Sequence, residues 1–120
     1  MADMWDRMYQ QFGARCVYCG RDLLEDVDAY MAGVLDHLIP TASLSENTDE
    51  NKVLSCATCN TLKGNHDPRQ GESGVAKEQL IERARARVFE CRAEKARDFL
   101  NYLKKHSEGG RNEYEPNKKP

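Results

Sequence analysis

The chain has no long hydrophobic run: nowhere in its 120 residues do apolar side chains approach the ~18 in succession that span a bilayer. Membrane function is therefore set aside. Aromatic residues are scarce at 8%, and 39% hydrophobic content makes only a modest core. One domain is expected at this length, and a metal or partner staple would help it fold. No charge of one sign dominates, because 18 basic residues face 20 acidic ones for a net charge of −2. That balance argues against a simple polycationic nucleic-acid binder. No positively charged and then apolar leader precedes Met1-Ala2-Asp3-Met4-Trp5. A cytoplasmic protein with reduced thiols is expected.

The charges are unevenly placed. Residues 1–60 hold 4 basic and 10 acidic side chains, and residues 61–120 hold 14 and 10. The asymmetry permits a basic face on an acidic protein, although a solvated helix surface would look the same.

Met4, Trp5, Met8, Tyr9 and Phe12 recur at helical spacing and predict a short amphipathic helix over residues 3–12. Residues 14–35 hold a Cys-x-x-Cys turn ending in Gly20, then apolar runs from Val27 to Met31 and at Val34-Leu35 that read as short strands. Residues 40–52 are rich in turn formers and predict a long surface loop, functional or disordered. A second Cys-x-x-Cys opens a short helix over 56–65. Strong helix formers dominate from Val75 to His106, where Leu80, Ile81, Ala84, Val88, Cys91, Phe99, Leu100 and Leu103 make a broken apolar stripe. Cys91 reads as a buried small hydrophobe. The polar tail 107–120 is expected to be disordered.

Cysteine is what the chain has in plenty. Cys16-Val-Tyr-Cys19 and Cys56-Ala-Thr-Cys59 are separated by 36 residues. Each turn can aim two thiolates at one ion, so together they predict a closed structural zinc site with something folded between its halves. A redox pair would need one such motif in a βαβ setting, which this order of elements does not supply.

Between the knuckles lies Leu35-Asp36-His37-Leu38-Ile39-Pro40, and downstream stand Asn51-Lys52-Val53-Leu54 and Cys59-Asn60-Thr61-Leu62-Lys63-Gly64. Alone, an Asp-His pair at a strand end is most often structural. Here a carboxylate, an imidazole and two carboxamides fall near one zinc knuckle. Acid and amide oxygens are hard ligands suited to magnesium or manganese, and a neutral imidazole can take a proton from water. The set predicts metal-assisted hydrolysis.

In this order, Cys16-x-x-Cys19, Asp36-His37-x-Ile39-Pro40, Asn51-x-x-Leu54 and Cys56-x-x-Cys59-Asn60-x-x-Lys63-Gly64 resemble the HNH endonucleases over about residues 14–66. Asp36 to Pro68 also looks like the HNH domain of CRISPR effector proteins. The resemblance implies an α+β fold, a small ββα-metal core with a structural four-cysteine zinc site, flanked by an N-terminal helix and a long C-terminal one. Residues 1–106 would be one domain, with the core at 14–68 and a helical extension at 75–106. By the same resemblance, Asp36 and Asn60 hold a catalytic Mg2+ or Mn2+, His37 is the general base, and Asn51 holds the loop that orients His37. For Asn51 the plain alternative is an Asx turn. The implied substrate is double-stranded DNA, cut to leave 5′-phosphate and 3′-hydroxyl ends.

Lys63 reads either as a phosphate contact or as a solvated helix charge. His66, beyond Gly64 and before Pro68, is the rival metal ligand to Asn60. Arg85, Arg87 and Arg92 are the candidate DNA contacts, sequence-independent in kind. Two other classes stay in view, a non-catalytic zinc-knuckle module that binds nucleic acid or protein and a redox or metal-buffering protein. Oligomeric state is open.

Overall fold

A computed structural model describes residues 3–40 and 48–107. Most of the predicted 40–52 loop, and the tail beyond Ser107, lie outside the described residues. Helix α1 (Met4–Gln11) starts where the Asp3 side chain accepts the Asp6 amide at 2.9 Å, and it buries Met8 against the body. The first Cys-x-x-Cys turn follows. It is docked by the Val17 amide, which donates to the Leu54 carbonyl at 2.8 Å.

Residues Val27–Met31 are a helix, α2, and not the predicted strand. The Asp26 carboxylate accepts the Ala29 amide at 2.7 Å and so caps a helical turn. Only Ala29 of the five is buried. The apolar run therefore faces water on most sides, and no alternating pattern exists for a sheet to use.

Strand β1 (Gly33–His37) and strand β2 (Lys52–Cys56) pair antiparallel, with Asp36 opposite Val53 and His37 opposite Lys52. A single 3-10 turn, Asp49–Asn51, delivers the chain into β2. Helix α3 (Ala57–Lys63) leaves β2 directly and packs on both strands, completing a ββα unit. Its first turn is capped by the Cys56 thiol, which accepts the Cys59 amide.

Helix α4 (Lys77–His106) packs along α3 through Leu80, Ala84 and Val88. These join Cys16, Tyr18, Leu23, Leu38, Val53, Leu54, Cys56 and Cys59 in one core. The predicted apolar stripe stops being core at Val88. Cys91 is only partly buried, and Phe99, Leu100 and Leu103 are exposed, because the ββα unit ends before this part of the helix does.

Leu54 is fully buried at the centre of this core, so Leu54→Ala should lower unfolding free energy by about 2–5 kcal/mol. Exposed Leu24, changed to alanine, should stay within about 0.5 kcal/mol of wild type. Chemical denaturation of metal-loaded protein reads both, and equal losses would mean that the core is elsewhere.

Candidate functional site

The four cysteines converge. The Sγ atoms of Cys16, Cys19, Cys56 and Cys59 all lie within 4.8 Å of one another. A zinc ion with ~2.3 Å bonds to four sulfurs at tetrahedral angles sets them about 3.8 Å apart. The Cys19 and Cys56 sulfurs are 3.9 Å apart, so the thiols are positioned to hold a metal such as zinc. In each knuckle the second cysteine's amide points at the first one's sulfur, Cys19 to Cys16 at 3.5 Å and Cys59 to Cys56 at 3.4 Å. A hydrogen bond from Cys59, helped by backbone amides against the cost of burial, pulls the Cys16 thiol down to about 4. The same bond pushes Cys59 well above its usual range. One thiolate is thus already favoured before an ion adds its charge.

Arg92, from α4, donates to the Cys59 sulfur at 3.1 Å. The helix therefore brings a guanidinium onto one of the four clustered sulfurs. Arg85 donates to the Val17 carbonyl at 2.6 Å, on the loop of the first knuckle. Of the three arginines read as DNA contacts, these two are anchored on the body. The side chain of Arg87 is exposed, with Glu90 at 4.0 Å.

Beside the cysteines, β1 carries Asp36 and His37. Successive residues of a strand point to opposite faces. Asp36 is only 7% exposed, whereas His37 is half-buried at the strand's end. The Tyr18 hydroxyl donates to Asp36 Oδ2 at 2.6 Å, and Lys63 Nζ lies 3.5 Å from the same oxygen. Lys63 also donates to the His37 carbonyl at 2.8 Å. It is 2% exposed, so the solvated reading fails, and its ammonium is occupied inside the protein. Burial pushes the Asp36 carboxyl up, opposed by the Tyr18 bond and the Lys63 charge. Burial likewise pulls the Lys63 ammonium down against the pull of Asp36. Tyr18 is driven far above its usual range by burial and by the Asp36 charge.

Asn51 is buried, and its amide forms a peptide-like pair with Ile39. Its Oδ1 accepts the Ile39 amide and its Nδ2 donates to the Ile39 carbonyl, both at 2.8 Å. The Asn51 carbonyl also accepts the Leu38 amide at 2.8 Å. The chain just past His37 is thereby held from two sides. Asn60 is half-buried on α3, one turn before Lys63 and on the same side of the helix.

His66 sits apart, beyond Gly64. Its Nε2 is buried with no hydrogen-bond partner among the described residues. Burial, together with the charges of Arg87 and Lys63, pulls the imidazole below its usual range.

Sequence reasoning missed Tyr18 and the inward role of Arg92. Tyr18 carried a signal, a large side chain fixed between two cysteines. Nothing in the sequence said which acid it would reach.

Among known proteins, residues 16–66 match the HNH endonuclease family. The chain is also 30% identical over 110 residues to the CRISPR-associated endonuclease Cas9 of Corynebacterium diphtheriae. That similarity covers 86% of this chain and 10% of the relative, so the chain spans about a tenth of the length of the curated protein it matches. The similarity extends well outside the Asp36–Pro68 stretch. With the ββα unit, the four-cysteine cluster and this match in hand, residues 16–66 belong to the HNH endonuclease family.

Proposed function

We propose that the chain is a metal-dependent nuclease that hydrolyses phosphodiester bonds of double-stranded DNA, with His37 as general base and Asp36 and Asn60 as protein ligands of a divalent cation. The observation that carries this reading is the HNH match over residues 16–66, whose Asp36-His37 pair lies at the end of a strand locked onto α3 by Lys63. The donor set fits a hard cation: a carboxylate and an amide oxygen suit magnesium or manganese better than zinc. Among the described residues the four cysteines are the one group of three or more His, Cys, Asp and Glu side chains placed to hold an ion. A second cation would therefore take few ligands from the protein and the rest from water and phosphate, as magnesium commonly does. A bound cation of this kind supplies Lewis-acid stabilisation of charge on the phosphate and the leaving oxygen.

This chain's own residues do the rest. Asp36 presents Oδ1, the oxygen that neither Tyr18 nor Lys63 meets, while those two fix its rotamer through Oδ2. His37 accepts the proton of the attacking water, a task matched to imidazole near neutral pH. Asn51 keeps the following backbone still through Ile39, so the imidazole needs little reordering when substrate arrives. Lys63 acts from inside, holding the His37 carbonyl. For phosphate contacts along α4 we assign Arg87 first, since Arg85 and Arg92 already donate to Val17 and Cys59. The cysteine cluster we read as structural zinc.

Zinc analysis of the purified protein should give about one ion per chain. Cys59→Ser should lose it and unfold, because structural zinc contributes free energy that a small domain needs. Arg92→Ala should fold yet hold zinc roughly 10–100-fold more weakly in a chelator competition, as loss of a group bonded to a metal ligand commonly does. A folded sample without zinc overturns the site, and unchanged affinity in the Arg92 variant overturns the role of that arginine.

Magnesium-dependent nicking of plasmid, abolished by EDTA, is the direct test of activity. His37→Ala should remove about 10²–10⁴-fold of the rate while zinc content and thermal midpoint stay at wild type. Cleavage above a tenth of the wild-type rate sinks the general-base assignment. DNA binding without any cleavage by wild type would favour the non-catalytic module instead.

Asn60→Ala should raise the magnesium concentration for half-maximal cleavage and lower the maximal rate. His66→Ala should leave the magnesium requirement nearly unchanged, because its buried Nε2 faces protein and the segment lies past the rigid helix. If the His66 variant shows the larger shift in a magnesium titration, the ligand is His66.

A further inference from the structure

Helix α4 has two faces, and the ββα unit uses one. At about 100° per residue, buried Leu80, Ala84 and Val88 line a single strip of the helix. Ala86, Phe89, Ala93, Ala96, Leu100 and Leu103 are all exposed, and they follow one another at alternating steps of three and four residues. On the helix they lie on average about 150° round from Ala84, away from the body. A sustained three-and-four spacing of apolar side chains is the seam of a coiled coil. Nothing in the core explains it here, for every residue from Arg92 to His106 is exposed.

We propose that this seam is a dimer interface, filled by α4 of a second copy of the chain packed antiparallel. The occupant and its direction follow from charge. On one flank of the seam stand Arg83, Glu90, Arg97 and Lys104, seven residues apart, and on the other Arg85, Arg92, Phe99 and His106. Arg83, Arg85 and Arg92 already donate to groups of their own chain, which leaves Glu90 and Arg97 as the opposite charges for a partner. A parallel pair would set Glu90 and Arg97 against Arg85 and Arg92, which already donate to Val17 and Cys59. An antiparallel pair sets each flank against itself, so Glu90 of each copy meets Arg97 of the other on both sides of the two-fold axis. In the register that does this, Phe89 packs on Leu100, Ala86 on Leu103 and Ala93 on Ala96, with the small alanines letting the helices approach at the centre. Among the described residues, the ion pair that Glu90 would give up is the one with Arg87, at 4.0 Å. The buried strip of Leu80, Ala84 and Val88, by which the helix meets the body, lies on the opposite side. The helix is already formed, so little ordering entropy opposes the contact. The proposal does not rest on the nuclease reading.

Sedimentation equilibrium of the full, zinc-loaded chain over a concentration series tests it. The expected result is a reversible dimer. Leu100→Glu should leave a monomer whose helix content and zinc stoichiometry match wild type. Glu90→Arg and Arg97→Glu should each weaken the dimer about tenfold, by turning two opposite-charge contacts into repulsions. The two changes together should restore it. A chain that stays monomeric at all concentrations overturns the proposal. So does a dimer indifferent to Leu100→Glu, or one in which the double charge change is no tighter than the singles.

Discussion

The buried ammonium of Lys63 is the interaction on which the candidate site depends. It reaches from the last turn of α3 to the His37 carbonyl and to the Asp36 carboxylate, and so joins the helix to the end of β1. A lysine at 2% exposure is costly unless charge and hydrogen bonds compensate it, and here one acid and one carbonyl do so. Asp36 is compensated in turn by Tyr18, whose hydroxyl comes from the first cysteine knuckle. The carboxylate at the centre thus ties together the first knuckle, β1 and α3. Removing any one partner leaves a buried charge exposed to its full desolvation penalty, so the geometry is fixed as a unit rather than residue by residue.

That unit in turn hangs on the cysteines. Tyr18 is held between Cys16 and Cys19, and α3 begins at Cys56, so both groups that grip Asp36 are carried on segments pinned by the same four sulfurs. The α4 helix closes the arrangement from outside through Arg92 on Cys59 and Arg85 on the Val17 carbonyl. Two of the three arginines read as DNA contacts are thus used within the chain, on a loop carbonyl and on a cysteine sulfur.

Much of this was legible in the sequence, and the parts that were not share a cause. The two knuckles, the short helix after Cys56 and the long helix to His106 follow from spacing and propensity, which are local. So does the chemical character of Asp36, His37 and Asn60, once they are seen beside the second knuckle. Helix α2 was misread because Val27 to Met31 looks apolar, although its cap, Asp26, stood in plain view before it. Lys63, Tyr18 and Arg92 could not be placed, because each acts on a partner at least eighteen positions away. Periodicity tells which face of an element is buried; it does not tell which charge lies under that face.

The same limit applies to α4, where periodicity carried two messages in one helix. Its Leu80, Ala84, Val88 strip matches the width of the ββα unit and ends with it. The predicted stripe ran on through Phe99, Leu100 and Leu103, and a reading by hydrophobicity alone merges the two strips into one broken face. Burial separates them, because the second strip begins at Ala86, before the first has ended, and runs on the far side. A helix that only needed to cover the core could stop near Cys91. Beyond Arg92, which still reaches Cys59, the fourteen residues to His106 are all exposed, yet they keep good helix formers and a regular apolar seam that is not buried against the described residues. Helical stability in proteins comes mainly from packing an apolar face and not from propensity, so a seam of this length implies a surface for it to pack on.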